Sequence, residues 1–103
     1  MEEDSYRQSR LCRLLGNPVA FATVELLAEN KELTPSEIAG AVGRSVQRVS
    51  TVLGALRLAE VVRDDTDAKR NRYRLKHPRE VRNVLASLSR FVQAASVVAP
   101  RDR

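Results

Sequence analysis

The sequence predicts a mainly α-helical fold with one small β-hairpin. Apolar residues recur at helical spacing over most of the 103-residue chain, and only the stretch from about residue 60 to 75 changes to the two-residue period of strands. The hydrophobic fraction of 43% with only 4% aromatic residues favours a modest core of Val, Leu and Ala. A chain of this length and composition is expected to form one domain, residues 1–103.

Two helices are predicted before residue 30. Ser5 can cap a helix that runs to about residue 15, and Gly16 suits the position just beyond its end. Asn17 and Pro18 are the residue types that cap and begin a helix, so a second helix is expected to run to about residue 29.

Residues 34–58 contain two further helix starts with a tight turn between them. Thr34, Pro35 and Glu37 form a capping box with proline at the first helical position. This short helix is expected to end near Gly40 to Gly43. Ser45 can then cap a longer helix that reaches about residue 58. A short helix, a glycine-bearing turn and a longer helix indicate a helix-turn-helix.

The longer helix has an apolar and a polar face. Val49, Leu53 and Leu56 recur at core-facing spacing, and Val46 and Val52 flank this stripe. The polar face is rich in side chains that read base edges in the major groove, since Arg pairs with guanine and Gln with adenine. The alternative is an ordinary amphipathic helix with a solvated face. The candidate DNA-binding residues of this helix and its cap are Ser45, Gln47, Arg48, Ser50 and Thr51.

A hairpin is predicted directly after the helix-turn-helix. Residues 60–63 indicate a short strand, residues 64–69 a polar turn, and residues 71–75 a half-buried strand with alternating apolar and basic side chains. A hairpin in this place makes a winged helix, with the wing at about 60–75. Its candidate DNA contacts are Lys69, Arg70 and Arg72. The alternative is a basic cluster that only protects the strand edge from aggregation.

The positive charge of the chain coincides with this region. The net charge is +5 overall, whereas residues 44–79 alone carry 10 basic and 4 acidic side chains. Such a balance favours a polyanionic partner, either nucleic acid or an anionic membrane surface. Because the basic segment begins at the longer helix of the helix-turn-helix, we expect the partner to be double-stranded DNA and not a membrane.

The last helix is predicted from about residue 78 to residue 98, with one sustained apolar stripe. A stripe of this length is difficult for a small domain to cover, so the sequence predicts a homodimer built on the terminal helices at about 5–15 and 78–98. The alternatives are a helix that folds back on its own domain and a helix that lies on a lipid surface. The candidate dimer residues are Leu11, Leu14, Leu85, Leu88, Phe91, Val92 and Ala95.

Other residue patterns do not indicate an enzyme, a cofactor or a metal site. There is no nucleophile with a nearby base and no glycine-rich phosphate loop. Cys12 is the only cysteine, and either a packing role or a redox role fits it. His77 is better explained as a capping or surface residue. The acidic start of the chain differs from a secretory signal, so a cytoplasmic protein is expected.

The order of these segments resembles ArsR-type winged-helix transcription regulators across about residues 11–92. The matching segments are Leu15-Gly16-Asn17-Pro18, Val24-Glu25-Leu26-Leu27, Leu33-Thr34-Pro35-Ser36-Glu37-Ile38-Ala39, Val49-Ser50 with Leu53, Leu56-Arg57 and Ala59, and Arg72-Tyr73-Arg74-Leu75. The resemblance implies a dimer that binds an operator through paired recognition helices, with the wings on flanking phosphates. It implies that the polar residues of the longer helix face DNA and that the basic wing residues contact phosphates.

The chain also departs from that family. The short helix of the helix-turn-helix has no cysteine and the last helix has no histidine, so metal sensing is not carried over and the effector stays unknown. The family's usual glycine before the wing is Glu60 here, which predicts that the turn is made differently. MarR-type regulators, a neighbouring winged-helix family, are an alternative. A protein–protein assembly module without sequence-specific DNA binding is the second hypothesis.

Overall fold

A computed structural model describes residues 2–66 and 71–98. The elements are α1 (Glu3–Leu15), α2 (Pro18–Glu29), α3 (Pro35–Val42), α4 (Val46–Leu58), β1 (Val62–Thr66), β2 (Asn71–Leu75) and α5 (Pro78–Val98). This order confirms the predicted fold class of five helices with one antiparallel hairpin. Two predicted wing contacts, Lys69 and Arg70, lie outside the described residues.

The first two helices meet at an angle of 92°. Helix α1 begins three residues earlier than predicted, and Ser5 is not its cap. Glu2 is the N-cap, and its side chain makes no capping hydrogen bond to a described residue. Acidic side chains in the first turn favour this earlier start through the helix dipole. Among the described residues no single helix could span a membrane, and only α1 and α2 taken together across their bend reach the required length and composition.

The caps of α2 and α4 are those that the sequence predicts. The Asn17 side chain accepts hydrogen bonds from the backbone N–H groups of Val19 and Ala20 at 2.9 and 3.1 Å. Ser45 accepts one from the N–H of Arg48 at 3.1 Å. Each cap satisfies N–H groups that have no partner within the helix, so these two helix starts are fixed locally.

A complete capping box starts α3. The Glu37 N–H donates to the Thr34 hydroxyl at 3.2 Å, and the Thr34 N–H donates to the Glu37 carboxylate at 2.8 Å. Thr34 is also buried, so its cap is shielded from water. The helix ends at Gly43, whose φ of +70° lies in the left-handed region that glycine adopts at no steric cost.

We expect Thr34→Ala to lower the free energy of unfolding by about 1 kcal/mol, because it leaves the Glu37 N–H in the first turn of α3 without its acceptor. Chemical denaturation measures the change. Thr34→Ser keeps the hydroxyl and should lose less. Ser36→Ala, at an exposed position of the same turn, is the matched control. Equal stability of the two alanine variants would contradict the capping role.

The core is formed by α2, α3, α4 and the hairpin. Its largest fully buried apolar side chains are Leu27, Ile38, Leu53, Leu56, Val24, Val49 and Val62. The predicted apolar stripe of α4 is therefore confirmed, except at one end. Val46, predicted to flank the stripe, is 46% exposed because it occupies the first helical position, where the chain has only just entered the helix.

The hairpin starts later than the sequence predicts. Strand β1 covers residues 62–66 rather than 60–63, so Asp64 and Asp65 belong to the strand and not to the turn. Asp65 forms an ion pair with Arg74 at 2.6 Å, and Asp64 lies 3.8 Å from Arg57. Aspartate has a low strand propensity, and the local sequence indicates nothing else about these two positions. The basic neighbours offset that low propensity.

The sequence predicts that the turn between α4 and β1 is made differently with Glu60 in place of a glycine. Glu60 instead has φ of +67°, so it adopts the left-handed conformation that glycine favours. The Lys76 ammonium donates a hydrogen bond to the Glu60 carboxylate and attracts its charge, which lowers the pKa of Glu60 below its ordinary value. The Glu60–Lys76 contact ties this turn to the residue that follows β2.

The wing is joined to the start of the helix-turn-helix by backbone hydrogen bonds. The Leu33 N–H donates to the Tyr73 carbonyl at 3.0 Å, and the Tyr73 N–H donates to the Leu33 carbonyl at 2.8 Å. Leu33 directly precedes the Thr34 cap, so this isolated bridge connects β2 to the beginning of α3. The position of the wing relative to α3 and α4 is thereby fixed.

Candidate nucleic-acid interface

The polar face of α4 is exposed, as a groove-reading helix requires. The side chains of Val49, Val52, Leu53 and Leu56 on the other face are buried. The structure brings the five predicted residues together on the N-terminal half of α4 or at its cap. All of them are exposed: Ser45, Gln47, Arg48, Ser50 and Thr51. A helix with its N-terminal polar residues exposed and its apolar face buried can enter a major groove without disturbing the core.

Two of these five side chains are already engaged within the helix. Ser45 accepts the capping bond from Arg48, and the Thr51 hydroxyl donates to the Gln47 carbonyl at 3.1 Å. Both hydroxyls keep lone pairs, but their orientation is set by these bonds. Gln47 and Arg48, which have the longest side chains of the set, are therefore the best candidates for reading base edges.

The structure adds Arg44, which was missed as an individual site residue. Arg44 is exposed in the turn between Gly43 and Ser45, and its guanidinium donates to the Gly43 carbonyl at 3.2 Å. Arg44 therefore places a positive charge at the N-terminal end of α4, where the helix dipole also favours anions. The signal available in the sequence was a basic residue directly before the predicted N-cap.

The basic side chains of β2 are matched by carboxylates of the same chain. Arg72 lies 3.8 Å from Glu32, which precedes the Leu33 bridge, and Arg74 is paired with Asp65 across the hairpin. Both arginines remain about one-third exposed, so exposed ion pairs of this kind are weak and can exchange partners. A phosphate at the wing would have to compete with Glu32 for Arg72.

The apolar stripe of α5 is covered only at its beginning. Val81 and Leu85 are half-buried and pack against the core, and Arg82 donates to the Ala28 carbonyl at the end of α2 at 3.0 Å. Further along, Phe91 is 72% exposed and Val92 60% exposed. The other exposed members of the stripe are Val84, Leu88 and Ala95. A contiguous exposed apolar surface of this kind marks an interaction site.

The remaining predicted dimer residues lie on α1. Leu11 and Leu14 are half-buried and pack against their own core, while Cys12 is exposed. His77 is exposed after β2. Within residues 2–66 and 71–98, no three His, Cys, Asp or Glu side chains are grouped as metal ligands.

Comparison with solved structures places this fold among known regulators. Rv0081 of Mycobacterium tuberculosis has a TM-score of 0.78 at 26% sequence identity, over 94% of this chain and 95% of that chain. The transcriptional repressor BigR from Xylella fastidiosa has a TM-score of 0.69 at 28% identity, over 85% of this chain and 88% of that chain.

A third similar structure is the homodimeric winged helix-turn-helix DNA-binding domain of Mb0332 from Mycobacterium bovis, a possible ArsR-family transcriptional regulator. It has a TM-score of 0.73 at 21% identity over 100% of this chain and 96% of that chain. No family profile matches the sequence, and no curated protein matches it. The structural similarities confirm what the sequence segments predict: the chain has the winged helix-turn-helix fold of ArsR-type transcription regulators.

Proposed function

We propose that this protein is a homodimeric, sequence-specific DNA-binding transcription regulator of the cytoplasm and not an enzyme. The observation that carries the proposal is the exposed polar half of α4, whose opposite face is buried in the core. The fold that this chain shares with a homodimeric DNA-binding domain supports it. The whole chain, residues 1–103, would act as one DNA-binding domain.

In this proposal α4 lies in the major groove and the wing lies along the flanking backbone. Gln47 and Arg48 read base edges, while Ser50 and Thr51 contact bases or phosphates. The wing residues Lys69, Arg70 and Arg72 bind phosphates, which position the protein without reading sequence. The Leu33–Tyr73 bridge holds the wing and α3 together, so both contacts would form in one fixed geometry.

The homodimer would form on α5. The interface would consist of apolar side chains along α5: Leu85, Leu88, Phe91, Val92 and Ala95. Leu85 is already half covered by the protein's own core. Leu11 and Leu14 contribute only what their intramolecular packing leaves exposed. A two-fold dimer presents two α4 helices to two half-sites, which is why operators of such proteins are close to palindromic.

The direct test measures binding of the purified protein to a random duplex and to DNA from upstream of its own gene. Fluorescence anisotropy across a salt series gives the affinity for each, and light scattering gives the mass. We expect a dimer that binds the upstream DNA more tightly and loses affinity steeply with salt. A dimer that binds neither duplex at low salt would overturn the proposal.

A protein–protein assembly module is the second candidate. The ion pairs that engage Arg72 and Arg74 favour it, because they neutralise the described basic residues of β2 within the chain. The exposed Arg44 and Arg48 at the start of α4 argue against it. The binding experiment separates the two functions.

Arg72→Gln should weaken binding to both duplexes and make the salt dependence shallower. One lost phosphate contact reduces the slope of log K against log salt by about 0.9, and hence by about 2 in a dimer with two wings. Arg90→Gln is the matched control, because it removes the same charge from the exposed side of α5 that faces away from the apolar stripe. An unchanged slope for Arg72→Gln would remove the wing from the interface.

A further inference from the structure

Helix α1 has a charged stripe that its own chain leaves exposed. Glu3, Tyr6, Arg10 and Arg13 are spaced by three, four and three residues, which places them along one line of the helix. All four are exposed. The apolar residues of α1, including Leu11 and Leu14, occupy the adjoining face and pack half-buried against the core, so the stripe is free of that packing.

An open groove runs beside this stripe. It has a volume of about 1160 Å³ and lies between α1 and the C-terminal end of α4, where Ala55, Leu58 and Ala59 line it. Leu58 is 83% exposed, an unusual state for a leucine in a concave surface. Apolar surface rimmed by charged groups in this way is typical of an interface with another protein chain.

The order of charges along α1 determines which partner surface is complementary to the stripe. The helix begins with Glu3 and Asp4 and carries Arg10 and Arg13 in its second half. A second copy of α1 running antiparallel presents arginines to the acidic end and carboxylates to the basic end. A parallel copy would place like charges side by side. The stripe is therefore complementary to itself in one direction only.

We propose that the α1 helices of two copies pack antiparallel, with Glu3 opposite the partner's Arg13 and Tyr6 opposite the partner's Arg10. This register rests on the homodimer proposed above and deepens it. Both pairs are centred on residue 8, so a single two-fold axis generates all four contacts, as a closed symmetric interface requires. Leu58 would be covered by the partner helix in the groove.

The central pair combines an aromatic ring with guanidinium groups. Arg10 already lies over the Tyr6 ring of its own helix, with 5.7 Å between the guanidinium carbon and the ring centroid. A second guanidinium on the other side of the exposed ring is a favourable cation–π contact. The outer pair, Glu3 with the partner's Arg13, sets the direction and register, because charge pairs across interfaces act mainly on specificity.

Two charge-reversal variants, Glu3→Arg and Arg13→Glu, test this register. Each homodimer would contain two repulsive pairs, and we expect its dissociation constant to rise by about 10-fold. Mixing the two variants restores both attractive pairs in the heterodimer. We expect about nine-tenths heterodimer in an equimolar mixture, compared with one half for random pairing, by native mass spectrometry. Each variant chain carries the same substitution in its homodimer and in the heterodimer. The effect of the new charge on the helix dipole is therefore the same in both and cancels in the comparison.

The matched control places the same charges on the opposite side of α1. Ser5→Arg and Cys12→Glu lie outside the groove lining, and their mixture should contain one half heterodimer. Random pairing of Glu3→Arg with Arg13→Glu would overturn the antiparallel register while the α5 dimer stands. A wild-type protein that is monomeric in solution would instead overturn the proposed homodimer itself, and the register with it.

Discussion

Phe91→Asp combined with Val92→Asp is expected to convert the protein into a monomer and to lower its affinity for a two-half-site DNA by about 100-fold or more. Among the α5 side chains whose exposure the structure describes, these two are the most exposed large apolar groups. In the proposed dimer they would lose contact with water, and two carboxylates there would be desolvated without partners. Affinity falls because the second half-site is no longer bound by a linked subunit.

The measurement combines light scattering with anisotropy on a duplex that holds two half-sites and on one that holds a single half-site. The monomer should bind the two duplexes almost equally, whereas the wild type prefers the first. Ala86→Asp with Gln93→Asp is the control, because it adds the same two charges to exposed positions on the other side of α5. A doubly substituted variant that remains dimeric would exclude α5 as the interface.

The helices could be predicted because their signals are local. Asn17, Thr34 and Ser45 cap the helices that the sequence assigns to them. A side chain two or three residues from the N–H groups that it satisfies needs no tertiary contact to be interpreted. The spacing of Val49, Leu53 and Leu56 likewise predicts their burial, since one face of α4 must meet the core.

The start of the wing could not be predicted in the same way. Asp64 and Asp65 have the composition of a turn, and they are kept in a strand by antiparallel pairing with β2 and by contact with Arg57 and Arg74. These arginines lie seven and nine residues away, on other elements. The left-handed Glu60 is similar, because a local pattern assigns that conformation to glycine. Tertiary context outweighed local propensity at these three positions.

For the candidate interface, the sequence predicted which face of α4 is polar but not which side chains are already occupied. Arg72 has Glu32 as a neighbour because the Leu33–Tyr73 bridge brings β2 next to the segment that precedes α3. The charges of Glu3 and Arg13 were visible in the sequence. Their alignment on one exposed stripe beside a groove required knowing which face of α1 packs against the core.

Arg48→Ala should reduce affinity for the operator far more than affinity for random DNA. Arg48 is exposed on the first turn of α4, and its N–H bond to Ser45 fixes the backbone from which the guanidinium extends. A bidentate contact to guanine discriminates by roughly 1–3 kcal/mol. A dimer makes that contact twice, so we expect a loss of at least about 30-fold on the operator.

Random DNA offers Arg48 only phosphates, so the loss there should be no more than a few-fold and should disappear at higher salt. Arg90→Ala is the matched control: it removes the same side chain from the exposed side of α5 that faces away from the apolar stripe, outside the proposed groove contact. Competition anisotropy with operator and random duplexes measures both affinities for each variant. Equal losses on the two duplexes for Arg48→Ala would reduce Arg48 to a phosphate contact and transfer base reading to Gln47.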